Sequence, residues 1–138
     1  MPDRMTVGLK RFGLWAASFV VVIVVRFLLI FTSHRVVSRM MPKRRSRIAH
    51  PAMALRVAEA VRAVARLVPG ATCLTQAFAV QFLLAVRGYA SDVQIGVKRA
   101  ASGEIEAHAW LMSGHCIATG GSPAEIAEYV PLAELPLR

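Results

Sequence analysis

Cysteine and aspartate are both scarce in this 138-residue chain: the cysteines are Cys73 and Cys116, and the only aspartates are Asp3 and Asp92. With no Cys-x-x-Cys pair, a thiolate zinc site of the usual spacing is excluded. Adding His108 and His115 does not rescue one, because neighbours such as His115 and Cys116 point to opposite faces of a strand. Gly120-Gly121 has no strand-to-helix Gly-x-x-x-x-Gly-Lys pattern around it, so it is no phosphate loop, and no cofactor or metal is expected. Aromatic residues make up 7% of the chain and do not interleave with the basic cluster Lys43-Arg-Arg45, which removes nucleic acid as the expected partner. Internal repeats and low-complexity tracts are absent. The one long apolar run is followed by Thr32-Ser-His-Arg35 rather than a small-residue cleavage site, so it does not read as a cleavable signal peptide. A reducing cytoplasm is then the expected setting, where a cysteine is structural or catalytic rather than disulfide-bonded.

What the chain has in quantity is apolar surface and positive charge. Hydrophobic residues are 56% of the total, and 17 basic residues against 8 acidic leave a net charge of +9. An excess of this kind favours anionic surfaces, either inner-leaflet lipid or an acidic peptide. Phe12 to Val25 runs without a charge for about 14 residues, short of the roughly 20 that a spanning helix needs. Counting through Arg26 to Ser33 makes it long enough, at a cost of about 2.5–3.5 kcal/mol for the arginine. A single span and an interfacial or protein-packed helix therefore both stand, and residues 12–33 associate with or anchor in the inner membrane. If they span, Lys43-Arg-Arg45 and Arg47 put the C-terminal side in the cytoplasm.

Pro42 and the charged segment to His50 read as a linker, giving residues 1–49 as a hydrophobic helix with a basic flank and 50–138 as the domain. Arg56, Glu59, Arg62 and Arg66 recur at helical spacing between Ala52 and Val68, leaving Leu55, Ala58, Val61, Val64 and Ala65 for the core. Pro69-Gly70 ends this helix. Thr72 is the expected N-cap of a second one running from Cys73 to about Val86 and closed by Gly88. The period then changes to two at Val93–Val97, Glu104–Leu111 and His115–Ala118, with turns at Ala101-Ser-Gly103 and Ser113-Gly114. The expected fold is α+β, with helices packed on a small antiparallel meander. Pro123–Tyr129 adds a helical turn.

A thiol is a useful nucleophile when ionised, and a helix N-terminus favours the anion through its aligned dipoles and free N–H groups. Cys73 is expected at such a place. A base must come within reach, and His108 on a strand packed against that helix qualifies by position, with Glu106 and Trp110 on its own strand face. The bland alternative is a small buried cysteine and a half-exposed histidine; Cys116 reads as strand filler, and His34 and His50 as solvated.

Pro69-Gly-Ala-Thr-Cys-Leu-Thr-Gln-Ala77, Leu83-Leu-Ala-Val-Arg-Gly88, Ile95-Gly-Val97 and Ala107-His-Ala-Trp110 resemble, in order and spacing, the lasso-peptide leader peptidases. These form a transglutaminase-like branch of the papain-like fold. The resemblance covers roughly residues 52–135, and the apolar helix with its basic flank resembles the segment that precedes that domain. It implies a cysteine endopeptidase that removes the leader from a ribosomally made precursor peptide, with Cys73 as nucleophile and His108 as general base. A separate ATP-dependent cyclase then closes the macrolactam. No leader-recognition domain fits ahead of the peptidase, so a separate small leader-recognition protein is the implied partner.

One position departs from the family pattern. Its triad aspartate falls about a dozen residues after the histidine, where this chain reads Ala118-Thr-Gly-Gly121. Glu106, the Thr119 hydroxyl or a backbone carbonyl are the candidate orienting groups, and Trp110 a candidate wall. The missing aspartate motivates a rival reading, a catalytically weak scaffold or binding subunit of a peptide-maturation complex. A third is a small membrane protein whose remaining part caps the helix.

Overall fold

His50 and Pro51 open a helix in a manner readable from their chemistry: the His50 ring accepts a hydrogen bond from Ala52 N at 3.1 Å, and Pro51 occupies the first helical position. In the computed structural model the described residues are 4–40 and 47–132. Their order is α1 (Arg4–Phe31), α2 (His34–Met40), α3 (Pro51–Ala65), α4 (Cys73–Val86), β1 (Asp92–Arg99), β2 (Ile105–Ser113), β3 (Cys116–Thr119), α5 (Pro123–Ile126) and β4 (Val130–Pro131). The Lys43-Arg-Arg45 cluster lies outside the described residues. Arg47 stacks its guanidinium over the Tyr89 ring, 5.3 Å from the centroid.

The helix expected from Cys73 to Val86 has those bounds. It stops as expected at Gly88, whose φ of 87° lets Tyr89 N reach Leu84 O and Gly88 N reach Ala85 O, both at 2.9 Å. The three expected strands form an antiparallel meander, and the short β4 adds to it, giving the order β3-β2-β1-β4. β1 and β2 pair in continuous register from Asp92↔Met112 to Arg99↔Ile105, so Gly96 stands opposite His108.

The α3 stripe is rotated from the expected one. Ala54, Val57, Ala58, Val61, Val64 and Ala65 are buried, whereas Leu55 is 47% exposed. The cause is geometric: Ala54, Val57, Val61 and Val64 repeat at three and four residues, and Leu55 sits about 100° off that line.

The core continues across residue 50, so the hydrophobic helix expected within 1–49 packs against the domain expected over 50–138. Val22 of α1 is fully buried in one cluster with Val57 and Val61 of α3, Val80 and Leu84 of α4, and Ala109 and Leu111 of β2. Val25 joins Val37 of α2 and Phe78 of α4 in a second cluster. The first helix is thus part of the globule on one side. Leu84 lies at the centre and is fully buried; Leu84→Ala is expected to lower stability by about 2–5 kcal/mol, read as a shift in denaturant midpoint at unchanged slope.

Candidate active site

Thr72 has the extended backbone of an N-cap, with φ −79° and ψ 177°, but its side chain makes no capping bond. Its hydroxyl lies 3.5 Å from Thr75 Oγ1 instead. The first-turn N–H groups of α4 are therefore left without a side-chain cap, and Cys73, half-buried, is the first residue of that turn. An open helix end of this kind favours an anion, whether thiolate or oxyanion.

His108 lies on β2. Ala109 and Leu111 of that strand pack with α4, so strand alternation turns His108 and Trp110 to the other face of the sheet. There the imidazole lies 5.2 Å from the Tyr129 ring and 6.2 Å from that of Trp110, centroid to centroid. Its Nε2 meets the carbonyl oxygen of Gly120. A carbonyl only accepts, so Nε2 carries the proton and donates it, leaving Nδ1 as the basic nitrogen. Gly120 follows His108 by 12 residues, the place where the resemblance expects an aspartate.

A backbone carbonyl is thus the partner of the imidazole, ahead of the other two candidates. Glu106 is drawn to Lys98, with its Oε2 3.8 Å from the ammonium. Lys98 also donates to Glu128 at 3.0 Å and stands 4.8 Å above the Tyr129 ring centroid. The hydrogen bond to Glu128, more than the nearby carboxylate charges, holds its ammonium above the ordinary lysine range. Thr119 is buried opposite Leu111 and makes no hydrogen bond to His108. Trp110 is 2% exposed, and its indole N–H donates to Gln94 Oε1 at 3.1 Å.

Three neighbours of this face escaped the sequence reading. Gly96 lets the indole lie flat on β1, since a Cβ there would come within 2.8 Å of the ring. A glycine inside an alternating strand is the signal that marks such close approach. Gln94 has the same two-residue phase as Gly96, but Tyr129 comes from beyond α5 and carries no sequence signal.

Among the described residues no hydrogen bond joins Cys73 to His108. The helix brings one to its exposed end, while the pleat turns the other to the far side of β2. Cys116, half-buried on β3, is a free thiol like Cys73.

A cysteine opening a helix that packs on an antiparallel meander, with a histidine on the second strand, defines the papain-like and transglutaminase-like class of fold. The family comparison agrees: the model of the transglutaminase-like superfamily matches residues 18–134, and the chain belongs to that superfamily. The match begins inside α1, which accords with the burial of Ser18, Val22 and Val25. Cysteine-based catalysis is common in this superfamily, which includes cysteine peptidases. Curated protein sequences and solved structures yield no match.

Proposed function

We propose that this protein is a cysteine endopeptidase that removes the leader from a ribosomally made lasso-peptide precursor. The observation that carries the reading is Cys73 as the first residue of α4 at a helix end without a side-chain cap, in a chain of the transglutaminase-like superfamily. The four motifs around Cys73, Gly88, Gly96 and His108 support the substrate class. In the reaction, the Cys73 thiolate adds to the scissile carbonyl carbon, and the first-turn N–H groups of α4 stabilise the oxyanion. The carbon–nitrogen bond then breaks, and the leaving amine takes the proton held by His108. Water attacks the thioester while His108 accepts its proton, releasing the leader acid and the thiolate. For these steps His108 must leave Gly120 O and Tyr129 and swing round the strand toward Cys73 in the substrate complex, a rearrangement rather than a tightening of an existing contact. The partners are the precursor, a separate leader-recognition protein and an ATP-dependent macrolactam cyclase in the cytoplasm.

A second reading, a catalytically weak scaffold of the same maturation complex, is favoured by the separation of Cys73 from His108. Incubating the full chain with precursor and leader-recognition protein, and following mass over time, separates the two. Release of leader supports the peptidase, and precursor that stays intact despite forming a complex supports the scaffold. A thiol-directed probe should label Cys73 well ahead of Cys116; equal labelling counts against an activated thiol. Because Glu106 serves Lys98 rather than His108, Glu106→Gln is expected to leave the cleavage rate within about twofold of the original and stability within about 0.5 kcal/mol. A tenfold loss of rate in that variant would make Glu106 the orienting group after all.

A further inference from the structure

We infer that α1 is an in-plane docking helix for an anionic phospholipid bilayer and does not cross the membrane. Gly8–Phe31 is long and apolar enough to span. Its two sides nevertheless differ in what they meet. One stripe, Ser18, Val22 and Val25, is buried against the rest of the protein, Val22 in the same cluster as residues of α3 and α4. Were α1 to span, Arg56, Glu59 and Arg62 of the neighbouring α3 and its C-cap Arg66 would be drawn toward the hydrocarbon, and leaving α3 behind would empty the core around Val22.

The opposite stripe carries Phe12, Val20, Val24, Phe27 and Phe31 at helical spacing, with exposures of 73%, 59%, 49%, 56% and 78%. Met5 and Leu9 extend it toward the N-terminus. No charge interrupts this stripe from Phe12 to Phe31, because Arg26 turns its guanidinium back toward the carbonyl of Pro69, 3.4 Å away. An apolar face of this length suits the headgroup–acyl boundary of a lipid surface.

Charge complementarity selects the kind of lipid. Beside the N-terminal half of α1 runs a groove of about 1190 Å³, lined by Lys10 and Arg11 together with Arg56 and Arg62 of α3 and its C-cap Arg66, with Glu59 the opposing charge. Trp15 lines that groove and, spaced three residues from Phe12, stands on the edge of the apolar stripe. Apolar insertion and cationic contact with headgroups therefore adjoin along one helix, with an indole at the boundary where that side chain is favoured.

The inference is independent of the peptidase reading, and Cys73→Ala should bind lipid as the original chain does. The test is co-sedimentation of the full chain with phosphatidylcholine vesicles, made with and without phosphatidylglycerol. Binding is expected to be roughly tenfold or more tighter with phosphatidylglycerol, to fall at high salt, and to be released by alkaline carbonate. Phe12→Ser combined with Phe27→Ser should weaken it by roughly tenfold or more, with the melting temperature little changed because both rings are mostly exposed. Absence of binding, or equal binding to both vesicle types, would overturn the inference. So would resistance to carbonate, which would make α1 a span. Self-association in vesicle-free sedimentation that the double variant abolishes would assign the face to a second copy instead.

Discussion

Cys73→Ala is expected to abolish leader cleavage, by roughly 10³-fold or more, while leaving the melting temperature within a few degrees of the original. The loss is large because no other thiol can take over. Cys116 is the remaining cysteine, and it lies on β3 rather than in the first turn of a helix. The small effect on stability follows from half-burial: the variant removes one sulfur atom at the margin of the core. His108→Ala should produce a loss of similar size, and the double variant should be no slower than either single one, since thiol and imidazole act as a unit. If His108→Ala keeps most of the activity while Cys73→Ala loses it, the orientation of His108 toward Tyr129 is its working state and the base lies elsewhere. Activity retained in both variants would end the peptidase reading.

Gly120→Ala should be the most damaging single-methyl change in the protein. Gly120 has φ 110°, a region L residues rarely adopt, and a Cβ would approach Trp110 Cα to 2.6 Å and Ala109 O to 2.9 Å. Both neighbours belong to the strand that carries His108, and the backbone cannot yield as a flexible side chain would. The expected cost is about 3 kcal/mol or more, the strain of the left-handed region adding to the clash. Gly103→Ala is the control, with φ 89° and nothing within 4 Å of its Cβ, and should cost only about 1–2 kcal/mol. Equal losses in the two variants would mean that backbone conformation alone, without the approach to Trp110, accounts for the effect. Because Gly120 O meets the imidazole, the surviving folded fraction of Gly120→Ala should also cleave more slowly, whereas a merely structural glycine would leave the rate of the folded fraction in place.

Local pattern explains why so much of the architecture could be read in advance. Pro69-Gly70, Thr72 and Gly88 bracket α4 because proline, glycine and short polar residues restrict the backbone wherever they occur. Alternation at Val93–Val97 and Glu104–Leu111 marks β1 and β2 because a pleat sends successive side chains to opposite faces. Where neighbours in space rather than in sequence decide, the reading failed. Leu55 is apolar and at helical spacing, yet the packing of α1 and α4 selects the Ala54–Val61 stripe of α3. Residues 1–49 show the same limit: an apolar run of this length is compatible with lipid and with a core alike, and only Val22 among α3 and α4 residues tells which side goes where. β4, two residues long, has no periodicity to detect.

The same division holds for the candidate site. Sequence alone determined that a thiol would open a helix and that a histidine would lie on a strand following it, since both depend on residues within a turn or a pleat of themselves. It also determined that no aspartate could stand a dozen residues after the histidine. Tertiary structure decided what takes that place, a carbonyl oxygen that every residue type possesses and no motif can announce, and it sent Glu106 to Lys98. It also decided the face on which His108 points, because alternation fixes which residues of β2 share a side but only the packing of α4 against Ala109 and Leu111 determines which side meets the helix.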